Sequence, residues 1–149
     1  MDELRDAALR YAAEGFSVLP LRPNDKRPAI HEWKPLQKTP WTTREINEWW
    51  GEHPESNIGI ITGEISGVSV IDLDGPHAPA LLKAQGLSQP KTRTVKTPHG
   101  FHLYVTYDPR LPQTAGILQA GDECDCSKKC SIDTRSNGGY VVAPPSVVS

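Results

Sequence analysis

No apolar run in this 149-residue sequence approaches the roughly 18–20 residues that a helix needs to cross a bilayer. The N-terminus is acidic and amphipathic rather than signal-like, which leaves the cytosol as the expected compartment and no membrane as a partner. Positive charge is not in excess either. Sixteen Lys and Arg stand against 18 Asp and Glu, for a net charge of −2. A global electrostatic grip on nucleic acid is thereby excluded, and any such contact has to come from a local patch or be weak without further domains. Cysteine is scarce: there are three, all between Cys124 and Cys130. An odd, tight cluster is no disulfide framework, and in a cytosolic protein it points to metal before bridges. Repeats and low-complexity tracts are absent. With 37% apolar and 23% charged residues, the composition excludes a disordered chain and suits one domain with a core of its own.

Proline and glycine, in contrast, are plentiful, 14 and 12 residues respectively, and they punctuate short elements. Asp2 to Glu14 reads as a helix with Leu4, Ala8, Tyr11 and Ala12 near one face and Gly15 just past its end. Phe16 to Leu21 reads as a strand. The turn Arg22-Pro23-Asn24-Asp25-Lys26-Arg27-Pro28 carries adjacent cations, Lys26 and Arg27, which fit either a solvated loop or a phosphate or template contact. Thr42 and Glu45 form a capping box for a helix Thr43 to Trp50, in which Trp49 and Trp50 are expected to pack. Asn57 to Gly63 is a buried strand running into a glycine turn, and His77 to Gln85 a short helix. Thr92 to Thr97 and Phe101 to Tyr107 form a hairpin around Pro98-His99-Gly100, and Asp108 to Asp122 is expected to be irregular. Cys130 to Arg135 and Tyr140 to Ala143 are expected to pair as a second hairpin through Ser136-Asn137-Gly138-Gly139. Helices alternating with strands in front and hairpins behind suggest an α+β fold.

The chemistry centres on Gly67-Val68-Ser69-Val70-Ile71-Asp72-Leu73-Asp74-Gly75. On a strand, Asp72 and Asp74 leave the same face, and two neighbouring carboxylates repel unless a positive group lies between them. Either the strand end is solvated, or a hard cation such as Mg²⁺ or Mn²⁺ bridges the pair and leaves positions open for phosphates. His102 falls on the strand after the hairpin and Asp133 on the next, followed by Arg135. Singly, His102 reads as a core histidine and Asp133 as a turn residue. Together, three carboxylates, a histidine and an arginine on adjacent strands match the needs of metal-assisted phosphoryl transfer.

The ordered set of motifs resembles the bifunctional primase/polymerase branch of the archaeo-eukaryotic primase superfamily, found on plasmids, phages and other mobile elements of prokaryotic hosts. It runs through Gly15-Phe16-Ser17-Val18-Leu19-Pro20-Leu21, Lys26-Arg27-Pro28, Asn57 to Gly63 and Val70-Ile71-Asp72-Leu73-Asp74. It continues through Thr97-Pro98-His99-Gly100-Phe101-His102-Leu103-Tyr104, Ile132-Asp133-Thr134-Arg135 and Gly138-Gly139-Tyr140-Val141-Val142-Ala143-Pro144-Pro145-Ser146. The resemblance implies an N-terminal α/β unit packed on an RRM-like antiparallel unit, with the active site between them. It makes Asp72, Asp74 and Asp133 the Mg²⁺ or Mn²⁺ ligands and His102 a contact to the phosphates of the incoming nucleotide. Arg135, with Lys26 and Arg27, becomes a phosphate or substrate contact. The implied activity is template-directed DNA synthesis from nucleoside triphosphates on single-stranded DNA with a primer. A helicase or helical domain is expected beside it in a longer replication protein, of which residues 1–149 would be the N-terminal part or a trimmed form.

Some relatives carry a small zinc-binding loop before the last aspartate, and Cys124-Asp125-Cys126-Ser127-Lys128-Lys129-Cys130 is its counterpart here. Cys124, Cys126 and Cys130 can reach one structural Zn²⁺, which needs a fourth ligand. His99 is the first candidate, ahead of Asp122, Glu123, Asp125 or water. A reduced thiol cluster and redox chemistry stay open. Relatives usually have two glycines before the histidine, whereas Phe101 replaces the second here, so the backbone is expected to approach phosphate less closely. Two other readings compete: a non-catalytic nucleotide- or single-stranded-DNA-binding module, and a metal-dependent phosphodiesterase.

Overall fold

The computed structural model describes residues 2–84, 93–119 and 130–149. Helix α1 (Glu3–Ala13) buries Ala7 and Ala8, with Leu4, Tyr11 and Ala12 packed alongside. Strand β1 (Ser17–Leu21) pairs antiparallel with β2 (Asn57–Ile61), from Ser17 opposite Ile61 to Leu21 opposite Asn57. Helix α2 (Thr43–Glu52) lies between them in sequence and starts at the expected capping box: the Thr42 hydroxyl accepts from the Glu45 amide, and the Glu45 carboxylate accepts from the Thr42 amide. Trp50 is buried, its Nε1 donating to the Ser56 carbonyl at 2.8 Å.

Strand β3 (Val68–Asp74), helix α3 (Ala78–Ala84), β4 (Arg93–Thr97) and β5 (Gly100–Thr106) follow, then β6 (Thr114–Gln119), β7 (Ser131–Arg135) and β8 (Tyr140–Ala143). The strands form two antiparallel sheets, β1-β2-β8 and β4-β5-β3-β7-β6. The protein is thus a mixed helix-and-sheet fold. No helix among the described residues is long and apolar enough to cross a membrane.

Two sequence expectations are corrected. The stretch expected to be irregular contains β6, an edge strand paired with β7 across a register break between Thr114 and Leu118. Ala115 and Gly116 dilute its strand signal, and the open ladder of β7 supplies what intrinsic preference does not. Nor does β8 fold back on β7, whose two edges are already taken by β3 and β6. It crosses to the other sheet and pairs with β2, Ile58 opposite Ala143 through Ile61 opposite Tyr140. Side-chain and backbone bonds hold the intervening turn there. The Thr62 amide donates to the Gly139 carbonyl at 3.0 Å, Thr62 Oγ1 to the Ser136 carbonyl at 2.7 Å, and the Glu64 amide to Asn137 Oδ1 at 2.9 Å. The expected N-terminal α/β unit therefore takes its third strand from the other end of the chain.

The main core lies where α1, α2 and one face of the three-stranded sheet meet the near end of the five-stranded sheet: Ile46, Trp50, Ile58 and Ile60 against Val68, Val70 and Tyr104. The other face of the small sheet buries Leu19, Leu21 and Ile61 under Leu36. A third cluster, Leu73, Leu103 and Ile132 with Ala78 of α3, backs the large sheet.

Candidate active site

Alternation along β3 separates its chemistry from its packing. Ile71 and Leu73 face the α3 side and its apolar cluster, so Asp72 and Asp74 occupy the opposite face. The ladder then brings the partners to them. Asp72 stands directly opposite His102 on β5 and directly opposite Asp133 on β7. Directly opposed residues share a face with Cα atoms about 4.5–5.5 Å apart. His102, Asp72 and Asp133 therefore form one row across three strands. The next row toward the hairpin tip holds Gly100, Asp74 and Ser131, and the row on the core side holds Tyr104, Val70 and Arg135.

His102 Nε2 lies 3.5 Å from Asp72 Oδ1, and Arg135 Nη2 lies 3.7 Å from Asp133 Oδ2. The side chains of Asp72 and Asp133 are only 18% and 15% exposed, so each carboxylate is half shielded from water and gains from a nearby positive group. His102 Nδ1 is buried with no hydrogen-bond partner among the described residues. Among the described residues, no group of three or more His, Cys, Asp or Glu is already arranged around an ion position. Asp72 is in contact with His102, and Asp133 with Arg135. In kind, the donors fit a hard divalent cation: three partly buried carboxylates on one face, with no lysine or arginine opposite Asp72 in the ladder.

Gly100 is a steric requirement of the site. A Cβ there would run into the backbone carbonyl of Leu73. Phe101 points to the opposite face from His102, opposite Leu73 in the ladder. Its side chain therefore does not obstruct the carboxylate face.

Gly75, with φ +92°, ends β3 between two candidate zinc ligands. A Cβ on it would lie 2.7 Å from the sulfur of buried Cys130, and its amide donates to the His99 carbonyl at 2.7 Å. Cys130 and the His99 backbone thus meet at one glycine. The Cys130 sulfur also accepts from the His77 amide at 3.4 Å. Cys124 and Cys126, like Asp122, Glu123 and Asp125, lie outside the described residues.

The basic turn is built rather than loose. Asp25 accepts from the amides of Lys26 and Arg27 and pairs with the Arg27 guanidinium at 2.6 Å. The Arg27 side-chain hydrogen bond holds the Asp25 carboxyl at about 2. Arg27 is thus committed within the turn, whereas no ion pair involves exposed Lys26 among the described residues. Tyr140, which the sequence reading passed over, ties this turn to the site. Its hydroxyl donates to the Lys26 carbonyl at 2.8 Å, and the charges of Asp25 and Arg135 both act on it, although burial dominates in raising its pKa. A tyrosine directly after a Gly-Gly turn was the available signal.

Arg93, in the Tyr104 row, pins β4 to the end of α1 through a two-pronged pair with Glu14 at 2.8 and 3.1 Å. Its guanidinium also lies over the Phe16 ring.

No curated protein matches the chain. Residues 8–149 match the family described as bifunctional DNA primase/polymerase, N-terminal, and the chain belongs to that family.

Proposed function

We propose that the chain is a catalytic domain for template-directed nucleotidyl transfer, a DNA primase/polymerase core. One observation carries the reading: His102, Asp72 and Asp133 form a single row on one sheet face, with Asp74 and Arg135 in the flanking rows. In this reading the primer 3′-hydroxyl attacks the α-phosphorus of a nucleoside triphosphate and pyrophosphate leaves. Asp72, Asp74 and Asp133 would hold Mg²⁺ or Mn²⁺, which when bound neutralises phosphate charge and favours in-line displacement. His102, directly opposite Asp72, would contact the phosphates of the incoming nucleotide. Arg135 and, across Tyr140, Lys26 balance the charge of the triphosphate or the DNA backbone. Arg27 acts by shaping the turn. Gly100 lets β5 approach β3 closely enough to keep His102 in the row. The catalytic work of these residues is positioning and charge neutralisation.

Cys124, Cys126 and Cys130, with His99 as a fourth donor, are proposed to hold a structural Zn²⁺; the shared contact of Cys130 and His99 with Gly75 supports that grouping. An RRM-like relationship for the five-stranded sheet, and residence in a replication machinery on prokaryotic mobile elements, belong to the same proposal.

A second reading, a non-catalytic nucleotide- or single-stranded-DNA-binding module, draws on the lack, among the described residues, of three or more ligands already grouped around an ion position. Extension of a labelled primer on a template with Mg²⁺ or Mn²⁺ separates the two. The catalytic reading expects extension, reduced on the order of a hundredfold or more by Asp72→Asn and by Asp133→Asn. Absence of both extension and metal-dependent triphosphate binding would leave the binding module.

A further inference from the structure

A lone exposed apolar side chain is ordinary, but three features single out Phe101. It is the one aromatic among the exposed large apolar side chains of the described residues, at 36% exposure. It sits between Gly100 and His102, so the backbone that carries it also lines the candidate site. Its direct cross-strand neighbour on β4 is Lys96, exposed and in no ion pair among the described residues. An aromatic face beside an uncommitted cation is complementary to one nucleotide of an unpaired strand: the ring takes the base and the ammonium takes the phosphate. The apolar cluster under α3 takes Leu73, Leu103 and Ile132 from the same sheet face and leaves Phe101 outside it. With a net charge of −2, this chain cannot rely on a global electrostatic grip, and stacking supplies affinity that does not depend on charge.

We propose that Phe101 and Lys96 form a stacking platform for single-stranded DNA beside the Pro98–His99 turn, on the sheet face opposite the Asp72 row. The proposal rests on the nucleotidyl-transfer reading for its choice of partner.

The test is fluorescence anisotropy of a labelled oligothymidylate with the 149-residue chain over a range of salt, beside Mn²⁺-dependent binding of a labelled triphosphate and thermal melting. Phe101→Leu keeps an apolar side chain and removes the ring; it is expected to weaken oligonucleotide binding roughly fivefold to a hundredfold. Melting and triphosphate binding should be unchanged, and Phe101→Trp should retain parental affinity. Lys96→Gln should lower the salt slope by about one phosphate contact. Parental oligonucleotide affinity in Phe101→Leu overturns the platform. So does a concentration-dependent dimer that Phe101→Leu dissolves while oligonucleotide affinity stays parental, because the ring then serves a second copy. Ring-dependent oligonucleotide binding without any triphosphate binding would uphold the platform and sink the catalytic reading. Triphosphate binding with ring-independent oligonucleotide binding would do the reverse.

Discussion

The two sheets use the same antiparallel ladder for opposite ends. In the three-stranded sheet, every residue of β1 and β2 is buried, because α1 and α2 cover one face and the segment around Leu36 covers the other. Neither β1 nor β2 can meet a ligand. In the five-stranded sheet, one face is split along its length. At Val68, Val70 and Tyr104 it completes the main core, and two residues further along it becomes Asp72, Asp74, His102 and Asp133. A site can be polar and still rigid because the same strands are anchored in the core a single turn of the pleat away. Tyr104 marks the boundary: it is buried enough for its pKa to be pushed far up, although it stands in the row next to Asp72 and His102.

This contrast can be broken most forcefully by exchanging what each region depends on. Trp50→Ala empties a fully buried position and strands the Ser56 carbonyl, and it should cost about 3–5 kcal/mol in urea unfolding. Asp72→Asn, in contrast, should change stability by less than about 1 kcal/mol, since its contact with His102 is long, at 3.5 Å, while abolishing metal-dependent triphosphate binding. A large stability loss in Asp72→Asn would mean that the row is structural. Gly100→Ala tests the seam between the regions. Its Cβ meets the Leu73 carbonyl, so β5 must shift from β3, with an expected loss of about 1–3 kcal/mol and a disproportionate loss of activity as His102 leaves the row. If activity falls only as far as stability does, the spacing of the row is not what matters.

The smallest effect belongs to the basic turn. The Arg27 hydrogen bond lowers the folded-state pKa of Asp25 from its ordinary value near 4 to about 2. A depressed carboxylate pKa stabilises the folded state above the unfolded value, and that contribution disappears as pH falls from about 4 to about 2. Asp25→Asn should therefore be slightly less stable than the parent near neutral pH and indistinguishable from it at the acid end, as read by denaturant midpoints across pH. A gap that persists at the acid end would place the role of Asp25 elsewhere than in its charge.

Much of this was legible in the chain, and for local reasons. The capping box at Thr42, the Pro98–His99 hairpin and the alternation through Asp72 and Asp74 depend on residues a few positions apart, so composition and spacing state them. The candidate residues Asp72, Asp74, His102, Asp133 and Arg135 could also be named, because each sits in a short motif on its own strand. Their alignment in rows could not. Register between β3, β5 and β7 depends on which edges are free when the strands meet, and no single strand encodes that. The same holds for β6, whose composition is poor but whose partner is waiting, and for β8, which left the β7 hairpin because both edges of β7 were taken. Tyr140 acquired its link to Lys26 only through that crossing. Short-range chemistry was determined by the sequence itself: which residues cap, turn, alternate and carry charge. Long-range pairing was decided by tertiary structure, because hydrogen-bonding edges and buried faces are shared among distant segments and each can be filled once.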